Sequence, residues 1–583
     1  MSPVANGLEC KAMNKKFSPG DRKTVVYTTK AKCRDCYRCV RVCPVHAIKM
    51  EDGQAQVITE NCIACGTCIT ECPQHAKTYT TDYGKVLQML EGENSLMVSL
   101  APSFAGYFTK WEQKRIPSAL RALGFNYVAE TAVGAWHVAN ASFGYIKDHE
   151  QQNHICTSCP AIVNYINIYM PQYSGNLVPV SSPMIAHARL LKKEFPRAKF
   201  VFIGPCVAKK DEAFQYEKEH LIDAVLTFDE LEELFKLKNI KLDSCEESQF
   251  DQEVTGDARL FPLEGGLLRT AGMPTDMLDS RIIAVSGFEE IKEVLESMKG
   301  GKQRIVIDPL FCRHGCINGP VANRSENIYD KRSQVLDYAS KSPGVKSEEV
   351  LANFTKAEYH GKPLKSTAFT EDQIKEVLAV IGKHSAEDEL NCMACGYNSC
   401  REKAVAVLEG VAEPEMCMPY MRRVSEQKFE TLIQYDPNGI VTLDKKLEIV
   451  HMNEAFKKMF ACSDSIYGKN ISYLIDPEPF EKITTGSSEL IRENIHYANY
   501  NITAHVVVYA LPEQEQYVGI FMDVTDFQTN QEKLSDIKSE TLNKAQELLD
   551  HQISMAQDLA RFLGEHTAKE EYLLNSLINL TKK

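Results

Sequence analysis

The sequence predicts a multidomain protein of mixed α/β and α+β class that ends in a long helix. Three observations support this: the length of the chain, the grouping of its cysteines, and the changes in hydrophobic pattern along it. With 583 residues, the chain exceeds what one hydrophobic core organises, so several domains in series are expected. Most of its 20 cysteines fall into groups of four, separated by stretches with helix-like or strand-like periodicity.

The composition argues against several classes of protein. The hydrophobic content of 44% and the charged content of 25% are those of a soluble protein, and no apolar run reaches the length of a membrane span. Residues 1–16 lack the apolar core of a signal peptide, so a cytoplasmic location is expected. The net charge of -13 argues against nucleic acid or an anionic membrane as a partner, because binding phosphates requires clustered Lys and Arg.

Residues 1–23 are polar and unpatterned and are predicted to form a flexible tail. Residues 24–85 then carry the spacing C-x2-C-x2-C-x3-C-P twice. The first run is Cys33, Cys36, Cys39 and Cys43, and the second is Cys62, Cys65, Cys68 and Cys72. Without an export signal, this spacing indicates metal ligation, and four soft thiolates can hold a 4Fe-4S cube.

The double run resembles the two-cluster bacterial ferredoxins, in which the fourth cysteine of each run binds the other cluster. The resemblance implies a cube at site 1, formed by Cys33, Cys36, Cys39 and Cys72. It implies a second cube at site 2, formed by Cys62, Cys65, Cys68 and Cys43. Zinc is the alternative, although zinc sites usually pair two C-x2-C knuckles.

Residues 93–383 are predicted to form an α/β domain, because helical patterns at 116–123 and 184–195 alternate with strand-like runs at 199–203 and 304–307. Three loops of this block, at 157–160, 204–210 and 312–316, carry cysteines. In order and content they resemble the signature loops of the FeFe-hydrogenase catalytic domain, with supporting matches at 100–103, 119–125 and 265–271. In isolation, a cysteine of one such loop would more often be a buried structural thiol.

The resemblance implies that site 3 holds the H-cluster, a 4Fe-4S cube bridged to a two-iron unit with carbon monoxide, cyanide and azadithiolate ligands. The ligands of the cube would be Cys159, Cys206, Cys312 and Cys316, with Cys316 as the bridge. Lys209 would donate to a cyanide ligand. The dithiolate would be lined by Ala101, Pro102 and Ser103.

The sequence departs from the fast members of that family in its proton route. Ser158 stands where they carry a cysteine, and a hydroxyl cannot change its protonation state near neutrality as a thiol can. The family's carboxylates are absent from residues 136–142. Glu264 and Cys156 are candidate substitutes, although a salt-bridged glutamate and a spare buried thiol are equally open readings. These departures resemble the sensory branch of the family and predict low turnover.

Residues 384–423 hold a further cysteine group, site 4, which resembles a single-cluster iron-sulfur module. It consists of Cys392, Cys395, Cys400 and Cys417, and one isolated group of four also leaves zinc open. The resemblances together imply three accessory 4Fe-4S clusters beside the H-cluster. The remaining cysteines are predicted to be mostly ordinary thiols: Cys10, Cys156, Cys245 and Cys462.

Residues 427–528 combine strand-like runs at 440–443, 447–452, 505–510 and 516–522 with turn signals, which predicts a small antiparallel α+β domain. This segment resembles a PAS domain through Asn453, Phe456 and the closing residues 523–525. Residues 529–583 are predicted to form a signalling or dimerisation helix with an irregular heptad pattern.

The combination predicts a hydrogen-sensing FeFe-hydrogenase that catalyses H2 = 2H+ + 2e- and passes its redox state to the PAS domain. Its expected partners are dihydrogen, protons, a redox protein such as ferredoxin, dedicated H-cluster maturases, a downstream signalling protein and a second copy of the chain. One alternative is a metabolic, ferredoxin-linked hydrogenase. Another is an iron-sulfur scaffold without the two-iron unit.

Overall fold

The computed structural model describes residues 24–51, 53–92, 95–252, 254, 257–274, 279–298, 304–322, 327–341, 352–364, 368–486 and 489–580. The predicted tail at 1–23, which contains Cys10, lies outside these residues. The chain divides into two compact units between Tyr420 and Met421. No helix within the described ranges combines the length and apolar character needed to cross a bilayer.

The two amino-terminal cysteine runs fold as a structural repeat. Strand β1 (Val26–Thr28) pairs with β4 (Lys77–Tyr79), and β2 (Ile48–Glu51) pairs with β3 (Gln54–Val57), both antiparallel. Each run contains a one-turn helix, Arg38–Arg41 in the first and Thr67–Thr70 in the second. The backbone is left-handed at equivalent places in the two runs: Asp35 and Ala64, Tyr37 and Gly66, and His46 and His75. The sequence repeat is therefore also a repeat of loop geometry.

Two parallel sheets form the frame of the α/β block. The first has the order β6 (Tyr127–Glu130), β5 (Leu96–Leu100), β8 (Lys199–Gly204), β9 (Ala224–Thr227), and the second β10 (Ile282–Ser286), β11 (Val306–Leu310), β7 (His154–Ile155). Every residue of β5 is buried, as in parallel sheets that helices cover on both faces. Ligands of such sheets bind beyond the carboxyl ends of the strands. The cysteine loops at 204–210 and 312–316 follow β8 and β11 at that edge.

Helices pack around these sheets and continue to the end of the first unit. Those of eight or more residues are Tyr83–Glu91, Ile116–Leu123, Ala132–Asp148, Pro160–Tyr169, Pro183–Glu194, Ala208–Gln215, Phe228–Leu237, Phe288–Ser297, Ile328–Ala339, Glu371–Val380 and Cys400–Leu408. The helices predicted at 116–123 and 184–195 are confirmed, the second with a shift of one residue at each end.

The strand predicted at 304–307 is displaced along the sequence. It runs from Val306 to Leu310 and lies between β10 and β7. Asp308 and Pro309 disfavour strand structure, so the sequence interpretation ended the strand before them. Parallel pairing with β10 carries the strand through both residues, because Asp308 pairs with Ala284 and Pro309 with Val285.

The second unit is built on one five-stranded antiparallel sheet. Its order is β13 (Ile449–Met452), β12 (Gly439–Leu443), β16 (Gln516–Asp523), β15 (Ile502–Leu511), β14 (Leu490–Tyr497). The prediction found four of these strands and missed β14, whose charged residues Arg492 and Glu493 hid its alternation. Its core is aromatic and fully buried, with Phe456, Phe460, Phe480 and Phe521.

Two long helices frame this sheet in the sequence. The first, Met418–Tyr435, is continuous through the join that was expected between residues 423 and 427. The second, Thr525–Leu580, begins before the expected residue 529 and runs for 56 residues. Shorter helices at Glu454–Met459 and Glu478–Thr484 cover the sheet between its strands.

Candidate metal centres

The structure brings the eight amino-terminal cysteines together in two crossed groups. The four thiols of site 1, Cys33, Cys36, Cys39 and Cys72, line one pocket. At site 2, Cys43 and Cys62 lie close enough to Cys65 and Cys68 for a negative charge on their sulfur atoms to raise the pKa of both thiols. Each group takes three cysteines from one run and the fourth from the other, which is the grouping that crossed ligation requires.

Backbone donors and one buried cation surround these thiols. The N–H groups of Ala47, Ala64 and Ala76 donate to the Sγ atoms of Cys43, Cys62 and Cys72 at 3.2, 3.3 and 3.3 Å. Lys77 is only 4% exposed and lines the pocket of site 1. Its Nζ donates to Thr28 Oγ1 at 2.6 Å and to the Ala55 carbonyl oxygen at 3.2 Å. These donors stabilise negative charge on sulfur.

Site 3 lies where three loops of the α/β block converge. Cys159 caps helix Pro160–Tyr169, Cys206 follows β8, and Cys312 and Cys316 follow β11. The other three cysteines lie close enough to Cys312 for a negative charge on any of their sulfur atoms to raise the pKa of its thiol. Burial raises the pKa of Cys206 to about 11, and the Lys209 ammonium offsets part of that rise. Thiols buried in this way become thiolates when a metal replaces the proton.

The surroundings of site 3 fit a bound group with polar ligands. Lys209 is 9% exposed and its Nζ lies 2.8 Å from Glu212 Oε2. The Oγ atoms of Ser103 and Ser158 are buried without a hydrogen-bond partner within the described residues. Ser103 belongs to the buried segment that begins with Ala101 and Pro102 at the end of β5. Buried hydroxyls normally have partners, and a group bound at site 3 would supply one for Ser158.

Sites 2 and 3 adjoin each other at a close contact of Gly66, and a second close glycine contact lies within the α/β block. Gly66 follows Cys65 with φ +81°, and a Cβ there would lie 2.6 Å from Pro320 Cβ, beyond the loop of Cys316. Gly315 has φ +86°, and its Cβ would lie 2.2 Å from the Pro262 carbonyl oxygen. A negative charge on Cys65 of site 2 also raises the pKa of Cys312 of site 3, so these two side chains lie close together. Clusters in these two sites would therefore be neighbours, as electron transfer requires.

The candidate proton residues meet at an aspartate that sequence reasoning missed. Asp308 on β11 is 2% exposed, and burial, followed by the negative charge of Glu264, raises its pKa to about 7. Cys156 is fully buried within electrostatic reach of Asp308, and burial raises the pKa of its thiol. Glu264 is exposed and accepts a hydrogen bond from the Ser286 hydroxyl. The sequence signal for Asp308 was its position as the single polar residue in the otherwise apolar run 305–311.

At site 4 the four cysteines line one pocket together with Lys403. Lys403 is 1% exposed, and its Nζ donates to the Pro414 carbonyl oxygen at 2.8 Å. Among the described residues, no group of three or more His, Cys, Asp or Glu is arranged around a single metal ion. Cys245 and Cys462 pack in other cores, away from the four sites.

Three protein-family models match separate parts of the chain. The model "Iron only hydrogenase large subunit, C-terminal domain" matches residues 94–320 and contains site 3. The model "4Fe-4S dicluster domain" matches residues 25–73 and contains sites 1 and 2. The model "Putative Fe-S cluster" matches residues 388–419 and contains site 4. The chain therefore carries iron-sulfur domains and a hydrogenase-like domain.

A curated relative and several solved structures are also similar. The cytosolic Fe-S cluster assembly factor NAR1 of Kluyveromyces lactis is 30% identical over 146 residues, which span 23% of this chain and 31% of that protein. A variant of the [FeFe]-hydrogenase HydA1 from Chlamydomonas reinhardtii is 17% identical over 49% of this chain and 100% of its own, with a TM-score of 0.39. The PAS domain of an HTR-like protein from Haloarcula marismortui is 19% identical over 17% of this chain and 98% of its own, with a TM-score of 0.15.

We predict that Asp308 titrates near neutral pH and that Glu264 sets part of its pKa. Because burial and the Glu264 charge raise this pKa to about 7, the carboxyl keeps its proton below that pH and ionises above it. Infrared difference spectra between pH 5 and 9 should show a protonated carboxyl band that disappears with a midpoint near 7. Asp308→Asn should remove the band, and Glu264→Gln should move the midpoint to lower pH. A band that survives in Asp308→Asn would contradict the assignment.

Proposed function

We propose that the chain is an FeFe-hydrogenase of low turnover that interconverts dihydrogen with protons and electrons, H2 = 2H+ + 2e-, and reports the redox state of its clusters. The observation that carries this proposal is the convergence of four half-buried thiols from three loops at site 3. Lys209 lies within electrostatic reach of Cys206 and Cys316, and the buried hydroxyl of Ser158, next to Cys159, has no hydrogen-bond partner among the described residues. The match of residues 94–320 to the hydrogenase family model supports it.

The residues of site 3 fit the H-cluster. Cys159, Cys206, Cys312 and Cys316 would hold its 4Fe-4S cube, and Cys316 would bridge to the two-iron unit. When bound, that unit would supply the heterolytic splitting of dihydrogen. Lys209 would donate a hydrogen bond to an anionic ligand, and Ser103 would donate from the segment that lines the site. Electrons would leave through site 2, whose Cys65 lies near Cys312.

Protons would travel between site 3 and solvent through Asp308. Its pKa of about 7 lets the carboxyl accept and release a proton near neutral pH, as a relay requires. Cys156 lies on its buried side, and the exposed Glu264, bonded to Ser286, lies on the solvent side. This route would take the place of the route through the cysteine that fast members of the family carry at the position of Ser158. A route without that titratable thiol is consistent with low turnover.

The second unit would carry the signal. The strand order of its sheet and the buried Asn453 support the resemblance to PAS domains. Asn453 Oδ1 accepts from the Ile440 and Phe456 N–H groups at 2.8 and 2.9 Å, so one side chain joins a strand to a helix. Four fully buried phenylalanines fill its interior. This packing favours a protein partner over a bound cofactor as the recipient of the signal.

The helix Thr525–Leu580 would pair with a second copy of the chain. Leu534, Leu548, Met555 and Phe562 share a heptad position and are between 52% and 62% exposed. Apolar side chains repeated along one face are the pattern of a coiled coil, and here Thr541 interrupts it. An irregular seam allows two pairings of similar energy, as a switch requires.

An iron-sulfur scaffold is the second candidate function, because the curated relative is an Fe-S cluster assembly factor. The metabolic hydrogenase is the third, with the second unit serving assembly only. Carbon monoxide and cyanide bound to iron absorb in an infrared window that protein leaves empty. One infrared spectrum of protein coexpressed with the maturases therefore separates a hydrogenase from a scaffold.

We predict that Cys316→Ala abolishes hydrogen turnover and the carbonyl and cyanide bands, because the two-iron unit loses its bridge to the cube. Gas chromatography and infrared spectroscopy measure the two effects. Cys245→Ala is the matched control, since its thiol lies outside the four sites, and it should keep both properties. Full activity in Cys316→Ala would refute the ligand assignment.

We predict that Ser158→Cys raises turnover by roughly tenfold or more, because a thiol beside site 3 is a titratable relay and a hydroxyl is not. Hydrogen evolution per loaded two-iron unit is the measurement. Ser182→Cys, at another buried hydroxyl without a partner, should leave the rate unchanged. Equal rates for Ser158→Cys and the wild type would show that proton delivery at this position does not limit turnover.

We predict that hydrogen-deuterium exchange across residues 427–583 differs between hydrogen-reduced and oxidised protein. Repacking of the sheet and a changed helix pairing would alter amide protection. Cys316→Ala provides the control, since hydrogen should no longer reduce its clusters or change its exchange. Identical exchange in the wild type, with reduction shown spectroscopically, would favour the metabolic hydrogenase.

A further inference from the structure

Site 4 is packed directly against the loop that carries Cys39 and Cys43. Gly396, next to Cys395, has φ +92°, and a Cβ there would lie 2.8 Å from the Cα of Arg41. Tyr397, Ala406 and Met416 share one buried core with Val40, Cys43 and Val45. The module around site 4 is therefore built into the amino-terminal repeat and is not a separate appendage.

Two aromatic rings bridge this contact. His46 and Tyr397 are stacked, with ring centroids 4.4 Å apart and planes inclined by 18°. The backbone N–H of His46 donates to the backbone carbonyl oxygen of Cys43 at 3.3 Å. Tyr397 follows Cys395 by two residues. The thiols of Cys43 and Cys395 both lie within electrostatic reach of the Tyr397 side chain. Each ring is thus tied to a ligand of a different site.

The Tyr397 hydroxyl does not explain the presence of the ring. It is buried without a hydrogen-bond partner within the described residues, in a side chain that is 4% exposed. A buried tyrosine normally satisfies its hydroxyl. The contact that Tyr397 does make is the stacking of its aromatic ring on His46. Electronic coupling between two centres falls steeply with the gap between them, and stacked π systems shorten that gap.

We propose that the stacked pair His46 and Tyr397 couples site 4 electronically to site 2, and through Cys65 and Cys312 to site 3. The inference rests on the proposed function, because it requires 4Fe-4S clusters in sites 2 and 4. In each transfer, one electron leaves a reduced cluster at one site and reduces the oxidised cluster at the other, and no atom or proton moves. The electrons come from dihydrogen at site 3 or from a low-potential redox protein.

The route gives site 4 a defined place in the protein. During hydrogen oxidation, electrons that reach site 2 continue across the two rings to Cys395 and its cluster. Cys417 of the same site directly precedes helix Met418–Tyr435. Site 4 is then the terminal electron acceptor of the first unit, and site 1 is not required on this path.

The test compares two replacements of Tyr397. Tyr397→Phe keeps the stacked ring and removes only the unpartnered hydroxyl, whereas Tyr397→Leu removes the ring and keeps an apolar side chain. Tyr473→Leu, at a position that is 75% exposed, is the matched control. Each full-length protein is produced without the two-iron unit, so that turnover does not drain electrons. A light flash with a photosensitiser then delivers less than one electron per chain, and rapid-freeze electron paramagnetic resonance follows its passage between sites 2 and 4.

We expect Tyr397→Leu to slow the exchange several-fold, with unchanged iron content and midpoint potentials, and Tyr397→Phe and Tyr473→Leu to match the wild type. A wild-type rate in Tyr397→Leu with both clusters present would overturn the proposal. If Tyr397→Leu loses the cluster of site 4, His46→Leu decides in the same way from the other side of the stack. Wild-type protein without iron in site 4 would instead refute the proposed function of that site.

Discussion

Burial of negative charge on sulfur is the constraint that the rest of the first unit serves. Thiolates lose hydration when loops close around them, and only nearby positive charge and N–H donors offset that loss. The described structure supplies a buried lysine in each region: Lys77 beside sites 1 and 2, Lys209 beside site 3, and Lys403 beside site 4. Their exposed fractions are 4%, 9% and 1%. Lysines are rarely buried so deeply without a partner charge, and Lys209 has one in Glu212 as well.

Parallel sheets solve the related problem of bringing distant thiols together. Cys206 and Cys312 are more than one hundred positions apart in sequence, yet each directly follows the carboxyl end of a strand. The two strands belong to different parallel sheets, and the loops that follow their carboxyl ends meet at site 3. A close contact of Gly66 with Pro320 then lets the loop of site 2 approach the α/β block. Rigid elements therefore set the spacing of the sites, and the loops supply the ligands.

The sequence predicted what depends on local spacing and missed what depends on tertiary contact. The cysteine runs at 33–43, 62–72 and 392–417 are local, so spacing alone marks their candidate ligands, and helix Ile116–Leu123 follows from its own periodicity. The four cysteines of site 3 are dispersed, and only the family resemblance implied their grouping. Strand β14 was missed because its partner β15 is what stabilises a segment rich in polar residues. Asp308 looked like the end of a strand, because its burial comes from neighbours far away in the sequence. The contact between His46 and Tyr397 spans 351 positions, and no local pattern marks it.

The left-handed residues of the amino-terminal repeat have a consequence for how much folded protein can exist. Asp35, Tyr37, Ala64 and His75 hold a backbone conformation that side chains disfavour by about 1 kcal/mol or more each. Bound clusters would offset this strain, because ligation occurs only in the folded loops. Polypeptide made when iron is scarce would keep the strain without that compensation and would open more often to proteases. The amount of folded protein would then depend on the supply of iron.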